Sequence, residues 1–116
     1  MPRHVPFLTI EDGDDLIVSF ALGDKAETSL TLLRTPKYEP HLPEEERGVT
    51  VSSDKTAVVA PNLLRAVRWE SSIVLVESTA TQYSLDVSAV NPEEIREAKR
   101  VLKKMHFDSC FELNVV

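Results

Sequence analysis

Alternation of apolar and polar residues predicts that most of this chain is β-strand. In the run Leu16–Leu22, every second residue is leucine, valine or phenylalanine, so these side chains share one face of an extended strand. The same period recurs in Tyr83–Ala89, where three polar residues separate the apolar ones. Each such strand is predicted to bury one face and leave the other in water.

Turn-forming residues divide the rest of the chain into short strands. Asp12 and Gly13 form an Asp-Gly pair between two apolar runs, which is a strong hairpin signal. We expect neighbouring strands to pair antiparallel in meander-like order. The predicted strands are Phe7–Glu11, Asp15–Leu22, Thr28–Arg34, Val49–Ser52, Leu63–Trp69, Ser72–Glu77, Gln82–Ala89 and Phe111–Val115.

One segment, Asn91–Met105, follows a helical period instead. Asn91 can cap the helix, and Pro92 suits the first helical position. Apolar residues recur on one face, and the opposite face carries a basic ridge that consists of Arg96, Lys99, Arg100, Lys103 and Lys104. We therefore predict a single α+β domain over residues 1–116. It has one antiparallel, strongly curved sheet of about six to eight strands, one C-terminal helix packed on the sheet, and a final short strand.

Composition narrows the class of protein. The 116 residues are 42% apolar and 28% charged, as in an ordinary globular domain. The apolar runs are far shorter than the roughly 20 residues of a membrane span, and the opening residues lack the apolar run of a secretory signal. Cys110 is the only cysteine, which excludes an internal disulfide and a four-cysteine zinc site. We predict a cytoplasmic protein that does not bind a membrane.

Residues of the types used in catalysis occur near the C-terminus but at unsuitable spacing. His106 and Cys110 would lie roughly 13 Å apart in an extended segment, whereas a base must come within about 3 Å of its nucleophile. The sequence contains no phosphate-binding loop, nucleophile elbow or zinc-protease motif. The acidic run Glu11–Asp15 is better explained as a hairpin turn than as a calcium site. We therefore predict no catalytic residue, no metal and no cofactor.

The segment Arg34–Gly48 is the strongest candidate for a binding site. Thirteen residues separate its ends, more than an ordinary hairpin connection contains, and its three prolines restrict the backbone. One reading is that it packs on the body, with a helical turn over Pro43–Gly48 pinned by Tyr38 or Leu42. The other is that it projects and binds a partner. The candidate partner-binding residues are Lys37, Tyr38, Glu39, His41, Glu44, Glu45, Glu46 and Arg47.

Two further features are weaker candidates. The basic ridge stands out in a chain of net charge −6, and it could contact an acidic protein, bind nucleic acid or simply face water. It has no aromatic residues for stacking on bases, so nucleic acid is the less expected partner. Trp69, next to Arg68, is either a sheet anchor or an interface hot spot.

Together these features favour a small non-catalytic domain that acts through protein–protein contact, for example as an inhibitor or an immunity-type neutralising partner. The alternative is a small-molecule carrier or small enzyme that uses the concave face of the sheet. Homodimerisation is a further possibility, because the last strand is expected to leave an unpaired edge.

Overall fold

The strands form two sheets, and one helix packs against the four-stranded sheet. The computed structural model describes residues 2–23, 28–43, 47–53, 62–79 and 81–115. One sheet has five strands in the order β1-β8-β7-β6-β9, and the other has four in the order β2-β3-β4-β5. The elements are β1 (Arg3–His4), β2 (Leu8–Asp12), β3 (Leu16–Leu22), β4 (Thr28–Arg34), a 3₁₀ helix (Pro36–His41), β5 (Thr50–Ser53), β6 (Leu64–Glu70), β7 (Ile73–Ser78), β8 (Gln82–Asp86), α1 (Pro92–Met105) and β9 (Glu112–Val115).

This architecture confirms an α+β fold with mostly antiparallel strands and a C-terminal helix, but it corrects the predicted sheet. The prediction of one strongly curved sheet is wrong, because the nine described strands divide between two sheets that are neither strongly curled nor closed. Two strand pairs are parallel, namely β1 with β8 and β6 with β9. These pairs join strands that are distant in sequence, so a local period of two residues cannot reveal them.

The chain passes from one sheet to the other at Val5–Phe7. The Val5 amide donates to the carbonyl of Asp86 in the five-stranded sheet, whereas the carbonyl of Phe7 accepts from Ala21 in the other sheet. Pro6 lies between them and has no N–H to leave unpaired at this change of direction. A second link is the antiparallel bridge between Thr50 and Leu63. The two sheets are thus linked at β2 and at β5, which are the two outer strands of the four-stranded sheet.

Side chains from both sheets and from α1 form one buried core. Trp69 and Phe20 come from different sheets, and their ring centroids lie 6.3 Å apart. The helix contributes its apolar stripe and packs against β2 and β3. Its buried residues are Ala98, Val101, Leu102 and Met105. No helix in the described part of the chain is long and apolar enough to span a membrane.

The start of α1 is fixed by the cap that the sequence predicts. The side-chain oxygen of Asn91 accepts a 2.8 Å hydrogen bond from the amide of Glu93, which would otherwise have no partner within the helix. We predict that Asn91→Ala lowers the free energy of unfolding by about 1 kcal/mol. Asn91→Ser keeps an acceptor and should retain most of the stability. Urea denaturation of both variants tests this, and equal losses would contradict the cap assignment.

Candidate functional site

A buried arginine organises one end of the molecule. Arg34 is the last residue of β4, and it shares the inner face of that strand with Leu30 and Leu32. Its side chain is only 1% exposed. Nε donates to Oε2 of Glu39 at 2.6 Å, and Nη2 donates to Oε1 of the same residue at 2.9 Å. This bidentate pair ties the 3₁₀ helix to the end of β4.

The same guanidinium also holds the end of α1. Nη1 donates to the carbonyl of Met105 at 2.6 Å, and Nη1 and Nη2 donate to the two carboxylate oxygens of Asp108 at 2.9 and 2.8 Å. The ring of Phe107 covers the guanidinium, with its centroid 4.1 Å from Cζ. A cation is favourable here because the C-terminal carbonyls of a helix carry partial negative charge. Arg34 therefore joins β4, the 3₁₀ helix and the turn after α1.

The protonation states follow from this geometry. Burial opposes the charge on Arg34, but its hydrogen bonds to Glu39 and Asp108 outweigh that cost and raise the pKa of Arg34 above its usual value. The hydrogen bond from Arg34 holds the pKa of Asp108 well below its usual range. Both groups stay charged at neutral pH, and an unpaired charge at the Arg34 position would be strongly unfavourable.

The local sequence explains why Glu39 turns inward. Pro36 begins the 3₁₀ helix, in which the Tyr38 amide donates to the Thr35 carbonyl and the Leu42 amide donates to the Glu39 carbonyl. Thr35 Oγ1 also donates to Asp15 at the tip of the β2–β3 hairpin. Glu39 therefore faces Arg34, whereas Tyr38 and Leu42 face the solvent.

Apolar side chains are exposed on the two segments that Arg34 joins. Tyr38 is 56% exposed, Leu42 39% and Phe107 60%, and we call these three residues the end surface. The other large apolar side chains exposed in the described ranges are Phe7 and Leu75. Exposed aromatic groups held on a fixed support are typical of protein-binding surfaces.

Three acid–base pairs lie on the segments next to the end surface. The carboxylate of Asp14 lies 3.6 Å from Nζ of Lys37, and Asp12 accepts hydrogen bonds from Arg100 and Lys104 of α1. The bond from Lys104, followed by that from Arg100, lowers the pKa of Asp12. The acidic hairpin tip thus supplies counterions rather than a cation site.

The predicted partner-binding residues separate into three groups. Glu39 is buried against Arg34, so its carboxylate is not available at the surface. Glu44, Glu45 and Glu46, which are three of the six residues of the predicted helical turn at Pro43–Gly48, lie outside the described residues. The helical turn that is described lies earlier, over Pro36–His41. The exposed candidates are Lys37, Tyr38, His41 and Arg47.

The basic ridge is largely engaged within the molecule. Arg100 donates to Asp12 and Glu97, Lys104 binds Asp12, and Nζ of Lys99 lies 5.3 Å from the centroid of the Trp69 ring. Arg96 and Lys103 are exposed. Most of the positive charge on this face therefore already has a neighbouring acidic or aromatic group.

Trp69 is a core residue and not a surface hot spot. Its side chain has no exposed area, and its indole Nε1 finds no hydrogen-bond partner among the described residues. The register of β6 shifts between Leu64 and Ala66, as at a β-bulge. After this bulge, Val67 and Trp69 point into the core while Arg68 points outward.

The groups around Cys110 do not form a nucleophilic site. The sulfur accepts a 3.3 Å hydrogen bond from Nη1 of Arg34, while the ring of His106 packs edge-on against Phe111 with centroids 5.0 Å apart. Although Cys110 is an exposed residue as a whole, desolvation of its thiol raises its pKa. A thiol that stays protonated is a weak nucleophile.

A shallow concavity of about 280 Å³ lies over β6, β7 and β8. Ala66 lies at the floor of the concavity because its cross-strand neighbours, Glu77 and then Gln82, have larger side chains. Arg68, Leu75 and Ser84 form the adjacent row. This concavity faces away from the core, which Val67 and Leu85 fill with no exposed area.

Arg34 and its partners were not identified from sequence, although one signal was present. Alternation places Arg34 on the same face as Leu30 and Leu32, so an inward-facing arginine could have been predicted. Asp108 could not be predicted as its partner, because it is 74 positions away. Comparison with known protein families, curated proteins and solved structures finds no match to this chain.

We predict that Arg34→Met lowers the free energy of unfolding by about 3–5 kcal/mol, because it leaves Glu39 buried without a counterion. The double variant Arg34→Met with Glu39→Leu removes that unpaired charge and should recover part of the loss. Lys37→Met, an exposed cation on the same segment, should change stability by less than about 0.5 kcal/mol. Guanidinium denaturation measures all three. A double variant with additive losses would contradict the coupling.

The stability of the fold should depend on pH because of Asp108. Its pKa is lower in the folded state than in the unfolded chain, so its contribution is complete above the unfolded value of about 3.9 and is lost as the pH falls towards the folded value. We predict that acidification lowers Tm more in the wild type than in Asp108→Asn. Asp14→Asn serves as the control and should keep the wild-type decrease. Equal decreases in wild type and Asp108→Asn would contradict the prediction.

Proposed function

We propose that this protein is a small non-catalytic domain of the cytoplasm that binds another protein through the end surface. The observation that carries the proposal is the exposure of Tyr38, Leu42 and Phe107 on two segments that a buried arginine holds together. Aromatic side chains that are already ordered lose little entropy on binding, so they contribute strongly to affinity. An inhibitory or immunity-type role, in which the domain neutralises its partner, is the form of this activity that we propose.

The paired charges around the end surface indicate what kind of contact it makes. Among the described residues at this end, Asp14 lies next to Lys37 and Asp12 binds Lys104, so charges of both signs are paired there. Apolar contact should therefore supply most of the affinity, with a weak dependence on salt. A partner bound through Arg96 and Lys103 of the basic ridge would instead be released as salt increases.

A carrier or small enzyme remains the alternative function. Core side chains of the described residues fill the inner faces of the sheets, and the outer concavity beside Arg68 and Leu75 is the site that this function would use. Arg68 is half exposed, and its contact with Glu112 is a loose 3.7 Å pair that a bound carboxylate could replace.

Alanine variants of the end surface should lose the partner while the fold is retained. Immobilised full-length chain is used to capture proteins from an extract of the source cells, and the retained partner is then titrated by calorimetry. We expect Tyr38→Ala to weaken binding about thirtyfold, as for a hot-spot residue. Leu75→Ala is the matched control, because it removes an apolar side chain that is 42% exposed on a different face.

Two results would count against this function. The first is a partner that Tyr38→Ala and Phe107→Ala retain as well as the wild type does. The second is a partner that elutes at moderate salt and is lost in Lys103→Glu, which would assign the contact to the basic ridge. An inhibitory role further requires that the purified domain lowers the activity of the partner it captures.

A further inference from the structure

We propose that two copies of this chain pair through β9 and form one continuous ten-stranded sheet. β9 is the last strand of the five-stranded sheet and pairs in parallel with β6 along one edge. Within the described ranges, no strand pairs with its other edge. That edge presents a row of backbone N–H and C=O groups, which is a ready template for another strand.

The other three outer strands each have a protective feature that β9 lacks. On β5 it is the segment before β6, which forms the antiparallel bridge from Leu63 to Thr50 and accepts from the Val51 amide. The Leu8 amide of β2 donates to Glu94 of α1, and Asp12 at the end of β2 is held by Lys104. β1 is only two residues long and is followed by Pro6 after one residue. β9 has four residues in an unbroken register with β6 and contains no proline, lysine or bulge. Natural sheets use prolines, lysines and bulges in their outer strands to prevent pairing with another chain.

The inner side chains of β9 are only partly covered. Leu113 and Val115 retain intermediate exposure, although their register partners on β6, Val67 and Trp69, have none. The face of the sheet is therefore apolar up to its edge and incompletely covered there. A further strand on that edge would cover both side chains.

The sequence of β9 suits a second copy of itself. In an antiparallel pair centred on Leu113, that residue faces Leu113 of the partner subunit, and Glu112 faces Asn114 of the partner subunit. The amide of Asn114 already donates to the carboxylate of Glu112 at 3.2 Å within the strand, so the two groups suit each other chemically. Two-fold symmetry creates this carboxylate–amide pair twice, keeps the glutamates apart, and closes the assembly at two copies.

Sedimentation equilibrium of the full-length chain over a range of concentrations tests the pairing. We expect a reversible change from 13.0 kDa to twice that mass. Asn114→Asp places two carboxylates opposite each other at both symmetric positions and should raise the dimer Kd about tenfold. Asn114→Lys creates opposite charges at the same positions and should lower Kd by a similar factor. Ser71→Asp adds a negative charge, as Asn114→Asp does, but at an exposed turn between β6 and β7. It should leave Kd unchanged.

Opposite effects of two substitutions at one position cannot arise from misfolding alone. The amides of Glu112–Val115 should also exchange hydrogen more slowly as concentration rises. A monomeric mass at every concentration, or a Kd that changes in the same direction in Asn114→Asp and Asn114→Lys, would overturn the proposal. Tyr38→Ala should leave the dimer intact, so the outcome does not depend on the function proposed for the end surface.

Discussion

The need to satisfy one buried positive charge determines how three separate segments meet. A guanidinium with 1% exposure is tolerated only when acceptors and counterions surround it. Glu39 supplies one side, Asp108 the other, and the Met105 carbonyl completes the set. The 3₁₀ helix and the turn after α1 therefore cannot shift independently of β4. The 3₁₀ helix at Pro36–His41, which begins the long connection, is thereby tied to the end of β4.

Acidic residues at the tip of the β2–β3 hairpin form further polar contacts with α1 and with the start of the 3₁₀ helix. Asp12 binds cations of α1, Asp14 lies next to Lys37, and Asp15 accepts from Thr35. Acidic residues that the sequence predicted as a hairpin turn thus also contact the end of α1 and the start of the 3₁₀ helix. The exposed rings of Tyr38 and Phe107 lie on the segments that Arg34 joins, and they are the physical basis for proposing a binding surface there.

Sequence patterns predicted the local structure better than the assembly. The cap at Asn91 and the stripe ending at Met105 depend only on neighbouring residues, and both are observed. The strand predicted to reach Ala89 ends at Asp86, because the Asp86 carboxylate accepts from the Ser88 amide and turns the chain. The division into two sheets and the parallel strand pairs depend on distant residues, so no local pattern contains them. Met105 and Asp108 escaped prediction as partners of Arg34 for the same reason.

The wide sequence separation of Arg34 from Met105 and Asp108 also determines when the end surface forms. Arg34 and Met105 are 71 positions apart, and contacts that close such long loops form late because the entropy of closure must be overcome first. During synthesis, Tyr38 leaves the ribosome well before Phe107. The end surface is therefore assembled only after the chain has been made at least as far as Asp108 and has folded, so a shorter nascent chain would not present the surface that we propose for binding.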